Sequence, residues 1–272
     1  MLARVVGGLG AAAAALLGWG WFEACWVRLR PLDVEVPGLP PELDGLRVAH
    51  LSDFHLGVPS GSARAVERAV AWVEEHQPDL VLLTGDLLTH PRGEPKLREL
   101  LRRLGPWTYA VLGNHDFGDA RDPLAAPSRL EDLSPAHLLR DDSVELELRG
   151  RRVQLVGVDP VSYRSGRADP DGRVDEEADL RILLCHYPNV FHGLRPGSYH
   201  VVLAGHLHDG QIAIPYGRGK VRLAHGNWRY TKGLYRRGDS TLHVSPGLGT
   251  TFVPFRFFAR PEATELVLRR AT

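Results

Sequence analysis

The chain is poor in the residues that staple or polarise a small protein. It has two cysteines, one methionine and no excess of either charge, with 33 Lys plus Arg against 33 Asp plus Glu in 272 residues. Cys25 and Cys185 lie too far apart to read as a disulfide framework or a zinc-thiolate motif. Metal chemistry would have to come from histidine and carboxylate. The charge balance leaves no overall field to draw in a polyanion, so nucleic acid is not an expected partner. No Gly-x-Ser-x-Gly elbow occurs, and neither cysteine has the loop context of a nucleophile beside a histidine. Cys185 directly precedes His186, but as a strand residue its side chain should face the other way. There is no internal repeat, and the longest apolar run is confined to the N-terminus.

That run extends from Val5 to Val27, about 23 residues with Glu23 as its single charge, which is enough to cross a bilayer. Trp19, Trp21, Phe22 and Trp26 crowd its C-terminal half as an interfacial aromatic belt would, and Arg28 and Arg30 follow. Residues 1–30 therefore read as a retained, single-pass membrane anchor. The alternatives are a cleaved signal peptide and an Ala-rich helix buried in a soluble protein. Glu23, close before Cys25, fits poorly with a lipoprotein signal. The amino terminus and Arg4 on one side nearly balance Arg28 and Arg30 on the other, so the flanking charges leave the orientation open.

The remaining length suits one α/β domain. Pro31, Pro37, Pro40 and Pro41 mark residues 31–44 as an extended linker, with a catalytic domain over 45–272. Residues 46–51 read as a strand, 62–77 as a helix with Ser62 available as N-cap, and 80–84 as a continuously apolar strand. A second amphipathic helix fits between Pro95 and Gly105, and a third buried strand over 107–112. Beyond this βαβαβ start, 144–148 and 153–158 flank Arg149 to Arg152 as a hairpin. Further strands fit 181–185, 199–204 and 241–245, and one or two closing strands fit 252–270. Few helices interrupt the second half, so two sheets are expected.

Polar clusters stand where these strands end. Ser52-Asp53-Phe54-His55 follows the first strand, Thr84-Gly85-Asp86 the second and Gly113-Asn114-His115-Asp116 the third. Cys185-His186-Tyr187-Pro188 and Gly205-His206-Leu207-His208 follow two later strands. Each has a bland reading of its own, such as a turn Asp, an Asx-turn or a satisfied core histidine. Five polar clusters at apolar strand ends, where open sheets place ligands, make coincidence the weaker account. Asp53, His55, Asp86, Asn114, His186, His206 and His208 supply four imidazoles and three oxygen donors without a thiolate. That set suits first-row ions such as Mn, Fe or Zn, and seven ligands imply two ions.

The ordered series Asp53-x-His55, Gly85-Asp86, Gly113-Asn114-His115-Asp116, His186 and Gly205-His206-Leu207-His208 resembles the calcineurin-like metallophosphoesterase superfamily over about residues 45 to 260. The N-terminal run, Leu46 to Gly57, Gly205 to Gln211 and Ser245-Pro246-Gly247-Leu248-Gly249 are similar to its membrane-associated bacterial branch typified by YkuE and YaeI. The resemblance implies a four-layer α/β/β/α sandwich behind an N-terminal transmembrane helix in a bacterial cell membrane. It also implies two divalent ions, one on Asp53, His55, Asp86 and His208 and the other on Asp86, Asn114, His186 and His206, with Asp86 as the bridge. Two departures stand out: the branch has Gly-His-Thr-His-Gly-Gly-Gln where this chain has Leu207 and Asp209. His115 is assigned to protonating the leaving-group oxygen, with Asp116 orienting its ring. The expected partner is a phosphoester, lipid-linked or in the envelope, hydrolysed as a phosphodiester or pyrophosphate, UDP-2,3-diacylglucosamine being one such substrate of the branch. Monoester or nucleotide hydrolysis is the alternative, because the same ligands serve both. A non-catalytic scaffold predicts lost ligands, and none is missing. Tyr163, Arg164, Arg195, Arg218 and Arg229 are candidate phosphate or headgroup contacts.

Overall fold

The computed structural model describes every residue except 119, 120, 129, 218, 225–228 and 272, and the side chains of residues 2 and 3. β2 (Leu46–Leu51), β3 (Leu80–Thr84) and β4 (Thr108–Val111) are parallel neighbours in which only Arg47 escapes full burial. Continuous apolar composition is what a strand covered on both faces requires. α2 (Ser62–His76) and α3 (Glu94–Leu104) cover the outer face, burying Val66, Ala69, Val70 and Val73 from one and Leu97, Leu100, Leu101 and Leu104 from the other. Ser62 is not the cap of α2. Gly61 holds that position, and the Ser62 hydroxyl accepts the Thr250 backbone N–H at 3.1 Å.

The same sheet continues through β14 (Glu262–Arg270), antiparallel to β2, and ends on β1 (Arg28–Val36), with the short β5 (His137–Leu138) at its other edge. β1 corrects the expected linker. Residues 28–36 pair with β14 along their whole length, and Val34 and Val36 are buried between the sheets. The prolines that pointed to a linker are compatible with an edge strand, because Pro31 has no N–H to offer an absent neighbour. Pro41–Leu43 then forms a short 3-10 turn that buries Leu43. At the other end of the chain one closing strand forms, and residues 252–261 stay irregular around Pro254 and Pro261.

The second sheet holds the parallel strands β7 (Arg151–Val158), β8 (Leu180–Cys185), β9 (Val201–Ala204) and β13 (Ser240–Val244). Antiparallel β6 (Asp142–Leu148) and β12 (Gly233–Arg237) close its edges. The β6–β7 loop is shorter than expected. Arg149 and Gly150 alone make the turn, both with positive φ, as a two-residue hairpin needs. Val48, Leu82, Val111, Leu155, Ile182 and Leu203 belong to the core shared by the two sheets. A thinner outer layer covers the second sheet, with α4 (Pro160–Arg164), α5 (Val190–Gly193) and buried Tyr187, Phe191 and Tyr199. The order of layers is helix, sheet, sheet, helix. A separate hairpin, β10 (Ala213–Tyr216) with β11 (Gly219–Arg222), stands beside them.

α1 (Leu2–Cys25) is exposed along most of its length and, over Arg4–Cys25, long and apolar enough to cross a membrane. Its last turns are built into the domain. The Arg256 N–H donates to Gly20 O at 3.0 Å, and the Ala259 N–H donates to the Glu23 carboxylate at 2.8 Å. A Cβ on Gly20 would lie 2.4 Å from the Phe257 ring, so no larger residue fits there unless the ring moves.

A strand and a linker respond differently to substitution at Val34, which is 1% exposed. Val34→Asp should cost about 3 kcal/mol or more by placing an unpartnered carboxylate between the sheets. The midpoint of urea unfolding of the detergent-solubilised chain measures this, and a change within about 0.5 kcal/mol would show β1 to be dispensable.

Candidate metal centre

Five strands release the chain at one rim, and the side chains that follow them converge. Asp53 and His55 follow β2, Asp86 follows β3, Asn114 and His115 follow β4, His186 follows β8, and His206 and His208 follow β9. Asp53, His55, Asp86, His206 and His208 all have positive φ, between 48° and 75°. Such backbone costs a non-glycine residue about 1–2 kcal/mol, and concentrated strain of this kind is characteristic of functional sites. Two glycines permit the approach. A Cβ on Gly113 would lie 2.1 Å from Asp86 Oδ1, and one on Gly205 would lie 2.3 Å from Asp53 Oδ2.

Two sets of donor atoms result. In the first, His208 Nε2 is 3.3 Å from Asp53 Oδ1 and 3.0 Å from His55 Nε2. In the second, His186 Nε2 is 3.2 Å from Asp86 Oδ2 and 3.1 Å from His206 Nδ1. Asp86 Oδ2 also stands 3.6 Å from His55 Nε2, so it touches both sets. Each set forms a group able to hold a metal ion, and His55, Asp86 and His115 form a third overlapping one. Asn114 borders a cavity of about 270 Å³ with Tyr187, Arg164 and Phe117, and the Tyr187 hydroxyl donates to Asn114 Oδ1 at 3.4 Å.

The outer nitrogens of the rings decide what the inner ones offer. His186 Nδ1 is 2.8 Å from the Thr84 carbonyl, which only accepts, so Nδ1 keeps its proton and Nε2 is the ring nitrogen turned to the centre. His55 Nδ1 is paired with the Thr89 hydroxyl at 2.9 Å, which allows the same tautomer. His208 differs: Arg256 Nη2 donates to its Nδ1 at 3.1 Å, which leaves the proton on Nε2, the nitrogen facing Asp53 and His55.

Electrostatics favour positive charge here. Burial works against ionisation of Asp53 and Asp86, yet the imidazoles of His208 and His186 hold both carboxyls well below the usual range. Burial likewise opposes charge on His186, but Asp86 and Asp53 raise it to about 9. A largely buried group of carboxylates and inward-facing ring nitrogens is a donor set that fits divalent ions, which would take the place of the positive charge.

His115 lies against this set. Its backbone N–H donates to Asp86 Oδ1 at 2.8 Å, its ring stands edge-on to His55 at 4.6 Å, and its buried Nδ1 has no hydrogen-bond partner. The expectation that Asp116 orients the His115 ring is corrected. The Asp116 carboxylate accepts the backbone N–H groups of Leu87, Leu88 and Gly113 at 3.3, 2.8 and 2.8 Å, clamping the loops after β3 and β4 together. Burial and the charge of Asp86 push its pKa up to about 7 against those three donors.

Among the candidate phosphate contacts, Arg164 lines the cavity beside Asn114, and Tyr163 stacks on Tyr187 at 5.0 Å. Arg195 pairs with Glu176 at 2.7 Å, and Arg229 lies over the Tyr230 ring at 5.5 Å; neither borders that cavity. Arg218 falls outside the described residues. The two departures in the last motif have structural partners. Leu207 is fully buried, and Asp209 takes the φ of 52° usual for glycine while its buried carboxylate pairs with Lys220 and, at 3.1 Å, with Arg222.

Arg256 escaped sequence reasoning. It is fully buried and donates to the carbonyls of Gly249, Pro246 and Ala259 as well as to His208. Burial brings its pKa down to about 10. The available signal was a lone charge inside Val253-Pro254-Phe255-Arg256-Phe257-Phe258. Beneath the centre, His50 and His243 face each other with Nδ1 atoms 2.8 Å apart, and His50 Nε2 reaches the Thr84 hydroxyl at 2.9 Å.

The sequence model of the calcineurin-like phosphoesterase family matches residues 46–210. The metallophosphoesterase YkuE of Bacillus subtilis (strain 168) is 30% identical over 241 residues, covering 85% of this chain and 82% of the relative. A Danio rerio transmembrane protein with metallophosphoesterase domain is 33% identical over 266 residues, covering 88% of this chain and 57% of the relative. The UDP-2,3-diacylglucosamine pyrophosphatase LpxG of Chlamydia muridarum (strain MoPn / Nigg) is 26% identical over 313 residues, covering 92% of each.

The His50–His243 pair makes stability depend on pH. Burial holds both imidazoles below their ordinary value, His243 at about 4. The unfolded chain therefore binds protons that the folded chain refuses, and stability present above about pH 6.5 is lost as pH falls towards 4. His243 alone accounts for about 3 kcal/mol. Unfolding midpoints followed from pH 7 to 4 should fall less steeply for His243→Asn than for the parent, and parallel curves would remove the dyad as the source.

Proposed function

This chain belongs to the calcineurin-like phosphoesterase family, and from that membership we propose a membrane-anchored phosphodiesterase or pyrophosphatase that uses two divalent ions on a lipid-linked or envelope substrate. One observation carries the reading: the groups containing Asp53, His55 and His208 and containing Asp86, His186 and His206 meet at Asp86.

In this reading Asp53, His55, Asp86 and His208 hold one ion, and Asp86, Asn114, His186 and His206 hold the other. Bound Mn, Fe or Zn supplies Lewis-acid stabilisation of the phosphoryl oxygens and lowers the pKa of attacking water. The chain's own residues do the rest. Thr84 and Thr89 fix the ring orientations of His186 and His55, so the donor atoms are pre-organised before substrate arrives. His115, with its unpartnered Nδ1 at the edge of the set, protonates the leaving oxygen. Arg164 meets non-bridging phosphoryl oxygens from the cavity beside Asn114. α1 holds the enzyme at the bilayer as a single-pass anchor, which raises the local concentration of an acylated substrate. LpxG, similar over almost the whole chain, is named for such a substrate.

Asp86→Asn should lower the metal content of the purified full chain from two ions to below one by elemental analysis. Retention of both ions with full activity would refute the bridge. His115→Ala should leave metal content intact and slow hydrolysis by about 100-fold or more for a poor leaving group, with a much smaller loss on a nitrophenyl ester. Equal losses on the two esters would exclude proton donation. The substrate class is tested with the metal-replete chain on a nitrophenyl monoester, a nitrophenyl diester and UDP-2,3-diacylglucosamine, where preference for the monoester would overturn the diester and pyrophosphate assignment.

A further inference from the structure

The β10–β11 hairpin leaves the domain immediately after the His206–Gln211 loop and is apolar on its exposed side. Ile214, Tyr216, Val221 and Leu223 are all more than half exposed, and Phe252 and Phe258 of the neighbouring loop are exposed to the same degree. Ordinary soluble surfaces scatter such residues singly. Here they are joined to the end of the apolar helix: the Ala213 N–H donates to Phe257 O at 2.9 Å, Phe257 lies on Gly20, and the Arg256 N–H donates to Gly20 O.

Between this hairpin and α1 lies a groove of about 460 Å³ bordered by Arg28, Lys220, Arg222, Lys232 and Arg260. The carboxylates there are Glu23 and Asp209, with Glu262 paired to Lys232 at 3.1 Å and to Arg28 at 3.6 Å, so cations outnumber anions. Glu23 is committed to the Ala259 N–H. Trp19 and Trp26 form the helix side, with the Arg260 guanidinium 3.5 Å from the centre of the Trp26 ring. Tryptophans at the end of an apolar span mark the headgroup level of a bilayer, and cations just beyond them meet lipid phosphate.

We propose that this groove seats the phosphate headgroup of an anionic membrane lipid, its acyl chains lying on Trp19 and Phe258, while the β10–β11 hairpin rests in the interface. The proposal builds on the membrane-anchor reading of α1. Asp209 directly follows His208 and holds Lys220 and Arg222, so a lipid in the groove sits beside the loop that carries a candidate metal ligand. A free phosphate would use the cations but would have no need of the apolar rim.

The test takes the full metal-loaded chain from bilayers of equal phosphatidylglycerol and phosphatidylcholine and weighs its retained lipid by native mass spectrometry. The parent should retain phosphatidylglycerol preferentially, by about fivefold for each engaged cation. Arg28→Gln with Arg260→Gln should abolish most of that preference, and Arg28→Lys with Arg260→Lys should keep it at an unchanged melting temperature. Equal retention of the two lipids by the parent, an undiminished preference in the Gln pair, or loss in both pairs overturns the groove. Complete displacement by excess inorganic phosphate overturns a lipid as its occupant. Alkaline carbonate extraction separates the two readings. A chain that stays with the membrane but shows no lipid preference refutes the groove alone, and a chain that is released refutes the anchor as well.

Discussion

The Asp86 carboxylate is the point on which the arrangement depends. Its Oδ2 faces His186 from the second sheet and His55 from the first, and its Oδ1 accepts the His115 N–H from the loop after β4. One buried anion therefore ties together loops that leave three strands, and it lies where the two sheets meet. Buried charge of this kind is costly unless it is compensated. The two-sheet sandwich supplies compensation from both sides, which neither sheet could do alone. The same crowding explains why Gly113 carries no side chain, since a Cβ there would occupy the position of the carboxylate.

Around Asp86 lies a shell of contacts whose effect is to remove freedom. Thr84 serves two imidazoles, His186 through its carbonyl and His50 through its hydroxyl. Asp116, first expected to serve His115, instead locks the loops after β3 and β4 through three backbone N–H groups. Left-handed backbone at five of the candidate ligands would relax if these loops were free. The surrounding hydrogen bonds over-determine them, which is how strain is kept at a site.

Arg256 extends that shell to the apolar helix. It spans from His208 to the carbonyls of the 246–259 loop, and the same loop is fastened to α1 at Gly20 and Glu23. The helix is consequently more than a tether, because its last turns complete the packing behind a candidate metal ligand. Glu23, which in the sequence was only the single charge in an apolar run, has a specific backbone partner.

How much was legible in advance follows from the range of each interaction. Strand and helix periodicity is local, so the βαβαβ start, the apolar strands and the polar clusters at their ends could be read from residues close in sequence, and helix and strand ends came within a few positions. β1 could not, because its proline content argued for a linker, and only a partner more than two hundred residues away makes it a strand. Asp116 and Arg256 were misread or missed for a related reason: most of their partners are backbone atoms, and backbone leaves no mark in a sequence. The sequence by itself determined which side chains were available and at which strand ends they stood. Only the tertiary structure decided which of them face one another, which imidazole nitrogen is free and what fixes its orientation, because those properties belong to atoms brought together when the two sheets pack.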